Sequence, residues 1–127
     1  MTYVVAAGNN AQRACKYSPA RVPAALTIGA STESDAKASF SNHGSCVDWY
    51  APGAGITSSS NLGDTTTATW DGTSMASPHT AGVAALFLQS SPAATPADVR
   101  SSLASIISKK RIKVSGRTYK DLLYTNY

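Results

Sequence analysis

Charged side chains are scarce in this sequence of 127 residues. Lys, Arg, Asp and Glu together make up 14% of it, against about 25% in an average globular domain. Hydrophobic residues still make up 43%, which is enough for a core and excludes a disordered chain. The polar surface must therefore come from hydroxyl and amide side chains, a balance that favours a secreted domain. The length predicts a single domain over residues 1–127.

Long hydrophobic runs are also lacking. The longest, at 3–7 and 83–88, are far shorter than the ~20 residues that a membrane-spanning helix needs. The sequence therefore predicts no membrane segment and no membrane partner. Met1-Thr2-Tyr3 lacks the basic segment of a signal peptide, and the apolar run behind it is too short for one. If the protein is secreted, we expect its signal to lie outside this sequence.

Cysteine is limited to Cys15 and Cys46, which lie 31 residues apart. Neither has His or acidic residues at the spacing of a zinc site. Two interpretations remain open on this evidence. An oxidising compartment would favour a disulfide, whereas a reducing one would leave two buried thiols.

The net charge of +4 comes mainly from the last thirty residues or so, where Lys109, Lys110, Arg111 and Lys113 form the densest cluster. Such a cluster can bind a phosphate backbone or acidic lipid. No aromatic residue interleaves it, however, so it lacks the stacking platform of a nucleic-acid site. We expect a solvated loop between two helices here and no nucleic-acid partner. The basic segment 109–120 has no functional explanation at this stage.

Three short apolar segments, 3–7, 26–30 and 47–51, predict strands buried on both faces of a sheet. Residues 11–25 and 54–71 are rich in small and turn-forming residues, which predicts loops.

Two helices follow the predicted strands. Residues 74–89 are apolar almost all round, which predicts a buried helix. Thr95 is a candidate N-cap of the next helix, with Pro96 at its first position and Asp98 in its first turn. Residues 119–124 predict a short helix or strand. Strands followed by helices indicate an α/β fold.

The string Gly72-Thr73-Ser74-Met75-Ala76 places Ser74 at the start of the buried helix. A helix N-terminus offers unpaired N–H groups and a positive dipole end, which favour negative charge on a nearby oxygen. A serine there can attack a carbonyl carbon if a base removes its proton. The alternative is a serine that only caps the helix.

Asn9 ends the string Ala6-Ala7-Gly8-Asn9 at the carboxyl end of a predicted strand. Ligand sites in α/β sheets lie at such ends, and the Asn amide could donate a hydrogen bond to an oxyanion. The alternative is a turn Asn that bonds its own loop.

Six strings together resemble the subtilisin-like serine peptidases, and within them the branch of proteinase K and aqualysin. They are Val-Ala-Ala-Gly-Asn (5–9), Tyr-Ser-Pro-Ala (17–20), Leu-Thr-Ile-Gly-Ala (26–30), Ser-Phe-Ser-Asn-His-Gly-Ser (39–45), Ala-Pro-Gly (51–53) and Gly-Thr-Ser-Met-Ala-Ser-Pro-His (72–79). The resemblance implies the C-terminal part of a three-layer, parallel-sheet catalytic domain, with the N-terminal half of the sheet missing.

The resemblance also implies roles for individual residues. Ser74 would be the nucleophile, and the Asn9 side chain and Ser74 N–H would form the oxyanion hole of an endopeptidase that needs no catalytic cofactor. Ala6, Ala7 and Gly8 would form one wall of the substrate pocket, with room for an apolar or aromatic side chain of a polypeptide substrate.

A structural calcium and a disulfide are implied in the same way. Asp48 stands where this branch has its calcium-binding carboxylate, and the carbonyls of Pro23 and Ala25 would complete the protein ligands, as suits a hard cation. Cys15 and Cys46 match a cysteine pair that is disulfide-bonded in the aqualysin-like enzymes, which also implies an extracellular location.

A serine peptidase of this family uses a catalytic triad, in which a histidine and an aspartate assist the serine. In the family these two residues precede the string that ends here in Asn9, and they have no counterpart in this sequence. Neither His43 nor His79 stands at the catalytic histidine position. We therefore expect this chain to be inactive alone and to need the missing N-terminal half as a partner. The alternative is a non-catalytic remnant that acts as a binding or structural module.

Overall fold

A computed structural model describes residues 1–115 and 118–125. Its elements in chain order are β1 (Val4–Ala6), a 3₁₀ turn (Ala14–Lys16), β2 (Leu26–Ser31), β3 (Trp49–Pro52), β4 (Ile56–Ser59), β5 (Thr67–Trp70), α1 (Thr73–Ser90), α2 (Pro96–Ile106), β6 (Ser108–Ser115) and β7 (Thr118–Leu122).

Five of these strands form one sheet in the order β1-β2-β3-β7-β6. The first four are parallel, whereas β6 runs antiparallel to β7. Strands β4 and β5, which lie between β3 and α1 in the chain, form a separate antiparallel hairpin. The mixed, mainly parallel sheet with helices confirms the predicted α/β class.

Strand β2 is buried along its whole length because both faces of the sheet are covered. Leu26 and Ile28 belong to the core formed with α1 and α2, and Trp49 of β3 joins them there. Tyr50 belongs to a second core on the other face, with the small residues of the loop 14–20. An alanine at Gly29 would place its Cβ 2.4 Å from the Tyr50 ring, so the contact between the two strands needs a residue without a side chain.

Helix α2 begins as predicted. Thr95 caps it by accepting a hydrogen bond from the Asp98 N–H, and the Asp98 carboxylate accepts one from the Thr95 N–H (2.8 Å). Pro96 occupies the first helical turn, where a missing N–H costs nothing.

Three local predictions are wrong. The predicted loop 54–71 contains the hairpin β4–β5. The cluster Lys109–Lys113 lies on strand β6 and not in a loop between two helices, because it pairs with β7. Helix α1 is buried on one face only, since Ala81, Gly82 and Ala85 are exposed. Residues 116–117, part of the basic segment 109–120, lie outside the described residues.

Cys15 and Cys46 form a disulfide, which confirms the pairing that the resemblance implied. The bond ties the loop after β1 to the turn that leads into β3. No helix in the described part of the chain is long and apolar enough to cross a membrane.

Candidate active site

Ser74 occupies the second position of α1 and its side chain is exposed. Gly72 precedes the helix as its N-cap and contributes no capping side chain. Within residues 1–115 and 118–125, the Ser74 hydroxyl makes no hydrogen bond, so it does not act as a cap. Ser74 lies in the first turn of α1, where backbone N–H groups lack partners within the helix and the helix dipole has its positive end.

Asn9 lies beside the start of α1, although 64 residues separate it from Thr73. Its side-chain oxygen accepts two hydrogen bonds from Thr73, one from the backbone N–H (3.0 Å) and one from the hydroxyl (2.8 Å). The bond from the backbone N–H fixes which end of the amide carries the oxygen, because an N–H group can only donate. Asn9 Nδ2 is therefore left to donate, and it has no partner in the described part of the chain. The structure brings the two predicted catalytic residues together.

Asn42 holds the loop that carries Asn9, a role that the sequence analysis missed. Its buried side chain donates to the carbonyl of Ala7 (2.9 Å) and accepts from the N–H groups of Asn10 (3.0 Å) and Gln12 (2.9 Å). An alanine at Gly8 would place its Cβ 2.4 Å from Asn42 Nδ2. The turn string Asn42-His43-Gly44 was the available signal, but nothing in it shows that the Asn points inwards.

The predicted pocket wall, Ala6, Ala7 and Gly8, leads from β1 directly into the Asn9 loop. Ala7 is fully buried in the second core, so its methyl group faces the protein interior. The Gly8 N–H donates to the Thr73 hydroxyl (3.1 Å), which fixes this segment against α1. Its role as a pocket wall stays a prediction.

Ser74 also lines a cleft of about 450 Å³. Helix α1 lines it with Met75, Pro78 and His79, and the hairpin lines it with Trp70 and its neighbours. His79 Nδ1 donates to the Met75 carbonyl (2.8 Å), since a carbonyl can only accept. His43 lies elsewhere, in a loop whose backbone bonds Gln12 and Ala14. Neither histidine hydrogen-bonds Ser74 in the described structure.

The three predicted calcium ligands, Pro23, Ala25 and Asp48, also lie close together. All three of their oxygens accept hydrogen bonds from the guanidinium of Arg100 on α2. As they stand they do not fit a calcium ion, because a positive group is already bonded to each of them. In the described residues no cluster of three His, Cys, Asp or Glu could hold a metal either.

Comparison with known proteins identifies the family of this chain. The subtilase family (Peptidase S8) matches residues 1–119. The extracellular serine proteinase of Thermus sp. (strain Rt41A) is 52% identical over 100% of this chain, which covers 31% of that protein. Alkaline serine exoprotease A of Vibrio alginolyticus is 44% identical over 98% of this chain, which covers 23% of that protein.

A solved structure agrees with the sequence relatives. A cold-adapted subtilisin-like serine proteinase superimposes with a TM-score of 0.88 at 47% identity, over 97% of this chain and 44% of that one. The chain thus spans less than half the length of each of these relatives. The family match and the likeness in sequence and fold to these proteins show that the chain belongs to the subtilase family of serine peptidases.

Proposed function

We propose that this chain is the part of a secreted subtilisin-like endopeptidase that carries the nucleophile and the oxyanion hole. The observation that carries the proposal is the pair of hydrogen bonds from Thr73 to the Asn9 side-chain oxygen. Those bonds turn the amide N–H₂ group away from Thr73 and leave it free to donate beside the exposed Ser74. A serine that merely capped α1 would need no such neighbour.

The reaction proceeds through an acyl-enzyme. Ser74 Oγ attacks the carbonyl carbon of the scissile peptide bond while a general base takes its proton. The oxygen of the tetrahedral intermediate then accepts hydrogen bonds from Asn9 Nδ2 and from the Ser74 N–H, at the positive end of α1. The C–N bond breaks as the base returns the proton to the leaving amine, and water later releases the acyl group from Ser74.

The base and the aspartate that orients it come from a segment outside this chain. Two neighbouring features of this chain, the edge of its sheet and one face of α1, are suited to contact with that segment. Strand β1 is an edge of the described sheet, paired only with β2. The exposed face of α1 beside it carries Ala81, Gly82, Ala85 and Leu86, the last 44% exposed. An open strand edge beside an apolar helix face is suited to pairing with further strands and helices.

The substrate is a polypeptide with an apolar or aromatic side chain before the scissile bond, because the residues assigned to the pocket wall are small. Secretion fits the extracellular serine proteinase of Thermus and the Cys15–Cys46 disulfide, which persists in oxidising compartments.

Fluorophosphonate labelling, read by intact mass, tests this function. The reagent reacts rapidly only with a serine that a base activates. We expect no adduct on the 127-residue chain alone and one adduct on a chimera that joins the N-terminal part of the Thermus relative's catalytic domain to this chain. In that chimera, Asn9→Ala should lower kcat about 10²–10³-fold, the usual effect of losing one oxyanion donor.

Two variants of the chimera serve as controls. Ser74→Ala should abolish the adduct, whereas Ser58→Ala, which removes another exposed serine from the same cleft, should keep it. A folded chimera that is never labelled would favour the alternative function of a binding or structural module. An adduct on the chain alone would show that His43 or His79 reaches Ser74.

A further inference from the structure

The guanidinium of Arg100 lies where three segments of the chain meet. Nη2 donates to the carbonyl oxygens of Ala25 (2.7 Å) and Pro23 (3.1 Å), and Nη1 donates to Asp48 Oδ1. These contacts span 52 to 77 residues of sequence. Backbone carbonyls and a carboxylate are among the oxygen donors that calcium uses in proteins, and Arg100 is bonded to all three of the predicted ligands.

The remaining oxygen of the carboxylate is engaged as well. Asp48 Oδ2 accepts a hydrogen bond from the Thr27 N–H (2.7 Å), and the Asp48 N–H donates to the Thr27 carbonyl (2.9 Å). The carboxylate is therefore held by β2 on one side and by Arg100 on the other. A calcium ion would have to displace the guanidinium to reach it.

Charge leads to the same conclusion. A cavity of about 230 Å³ opens beside these oxygens, and among the described residues that line it Asp48 is the only acidic one, whereas Arg21 adds a positive charge. One carboxylate balances one guanidinium. A divalent ion next to Arg100 would leave excess positive charge at this place, where partial burial weakens the screening by water.

Helix α2 fixes the backbone from which Arg100 reaches these oxygens. The preceding residue, Val99, is fully buried in the core shared by α1 and the sheet, and so is Leu103 one turn later. The capping box at Thr95 fixes the start of the helix. The planar guanidinium presents several N–H donors in a fixed geometry, which suits it to binding the three oxygens at once.

We propose that Arg100 is a built-in cation that replaces calcium at Pro23, Ala25 and Asp48, so that this place in the chain needs no metal. The inference does not depend on the proteolytic function.

The test uses the complete 127-residue chain and two readouts, thermal melting and terbium luminescence. Tb³⁺ substitutes for Ca²⁺, and Trp49, next to Asp48 in the chain, serves as the sensitiser. The wild-type chain should melt at the same temperature in millimolar calcium and in EDTA, and should give no calcium-competed terbium signal. Arg100→Ala should melt several degrees lower in EDTA, recover part of that loss in calcium and bind Tb³⁺.

Arg111→Ala is the matched control, because it also removes an arginine from an ion pair with an aspartate. Arg111 pairs with Asp35, and its side chain is 63% exposed. It should stay insensitive to calcium. Arg100→Lys keeps the positive charge and should also exclude terbium, which preserves the test if Arg100→Ala does not fold. Calcium stabilisation or terbium binding in the wild-type chain would overturn the proposal. So would a folded Arg100→Ala that binds neither ion, because the three oxygens would then not be a cation site.

Discussion

Asn42 shows how one buried side chain can control a site that it does not line. It is fully buried, and its amide joins the Ala7 carbonyl to two N–H groups of the Asn9 loop. Asn42→Ala should lower the free energy of unfolding by about 2–3 kcal/mol, because the buried carbonyl of Ala7 and the two N–H groups would lose their hydrogen-bond partner.

Urea unfolding of the two proteins measures this loss. Asn61→Ala, at an exposed asparagine between β4 and β5, is the control and should change stability by less than about 0.5 kcal/mol. Equal effects at the two positions would contradict the role of Asn42.

Tyr50 is a second buried polar residue, and its hydroxyl makes no hydrogen bond in the described structure. Burial raises the pKa of this hydroxyl to about 12. Tyr50→Phe should therefore raise the free energy of unfolding by about 1 kcal/mol, since it removes a desolvated group without a partner.

The same substitution should change how the free energy of unfolding falls at alkaline pH. A raised pKa in the folded state gives stability that is complete below the ordinary value of 10 and is lost as the pH rises towards 12. Tyr50→Phe should flatten that decline, as measured by urea unfolding at a series of pH values. Tyr3→Phe, at a tyrosine that is 62% exposed, should leave it in place.

Among the elements, α2 depends on its capping box. The hydrogen bonds from the Thr95 hydroxyl and backbone lower the pKa of Asp98 below its usual 3.8. Thr95→Ala should cost about 1 kcal/mol at neutral pH, the usual effect of losing an N-cap.

The loss should shrink in acid, because a carboxyl with a lowered pKa stabilises the fold above its ordinary pKa and loses this effect as the pH falls through the lowered one. Circular dichroism melts from pH 7 down to pH 2 measure this. A difference between the proteins that stays constant across that range would contradict the capping role of Asp98.

The predictable elements are those whose residues carry a local pattern. The apolar runs of β1 to β3 and the cap at Thr95 follow from sequence alone. Strand β6 had a weaker signal: Ile112, which is buried, and Val114 alternate with Arg111 and Lys113, but the high charge concealed this period of two. The hairpin β4–β5 consists mostly of exposed Thr and Ser. Its strands therefore lack a buried face, and no alternating apolar pattern predicts them.

The site was less predictable, because contacts between distant segments build it. The string around Ser74 indicates a helix start, yet nothing local shows that Thr73 orients Asn9 or that Arg100 reaches Asp48. The exposed face of α1 was missed for a similar reason, since composition does not reveal which segments cover a helix.

At the scale of the whole molecule, the Cys15–Cys46 disulfide closes a loop across 31 residues and so restricts the unfolded chain. The loop-entropy model gives a stabilisation of about 3–4 kcal/mol for a loop of this length. The double variant Cys15→Ser/Cys46→Ser should lose about that much in guanidinium unfolding.

Reducing the wild-type chain with dithiothreitol should reproduce the loss, and the double variant should not respond to the reagent. Unchanged stability after complete reduction would contradict a structural role for the bond.

The contact of Arg100 with Asp48 has a consequence for where the protein can work. A bound ion stabilises a fold only by mass action, so its contribution grows with the ion's concentration relative to its dissociation constant and fades on dilution. A cation that is covalently part of α2 is present at a fixed local concentration whatever the surroundings contain. The stability that Arg100 provides should therefore be the same in soft water and in hard water.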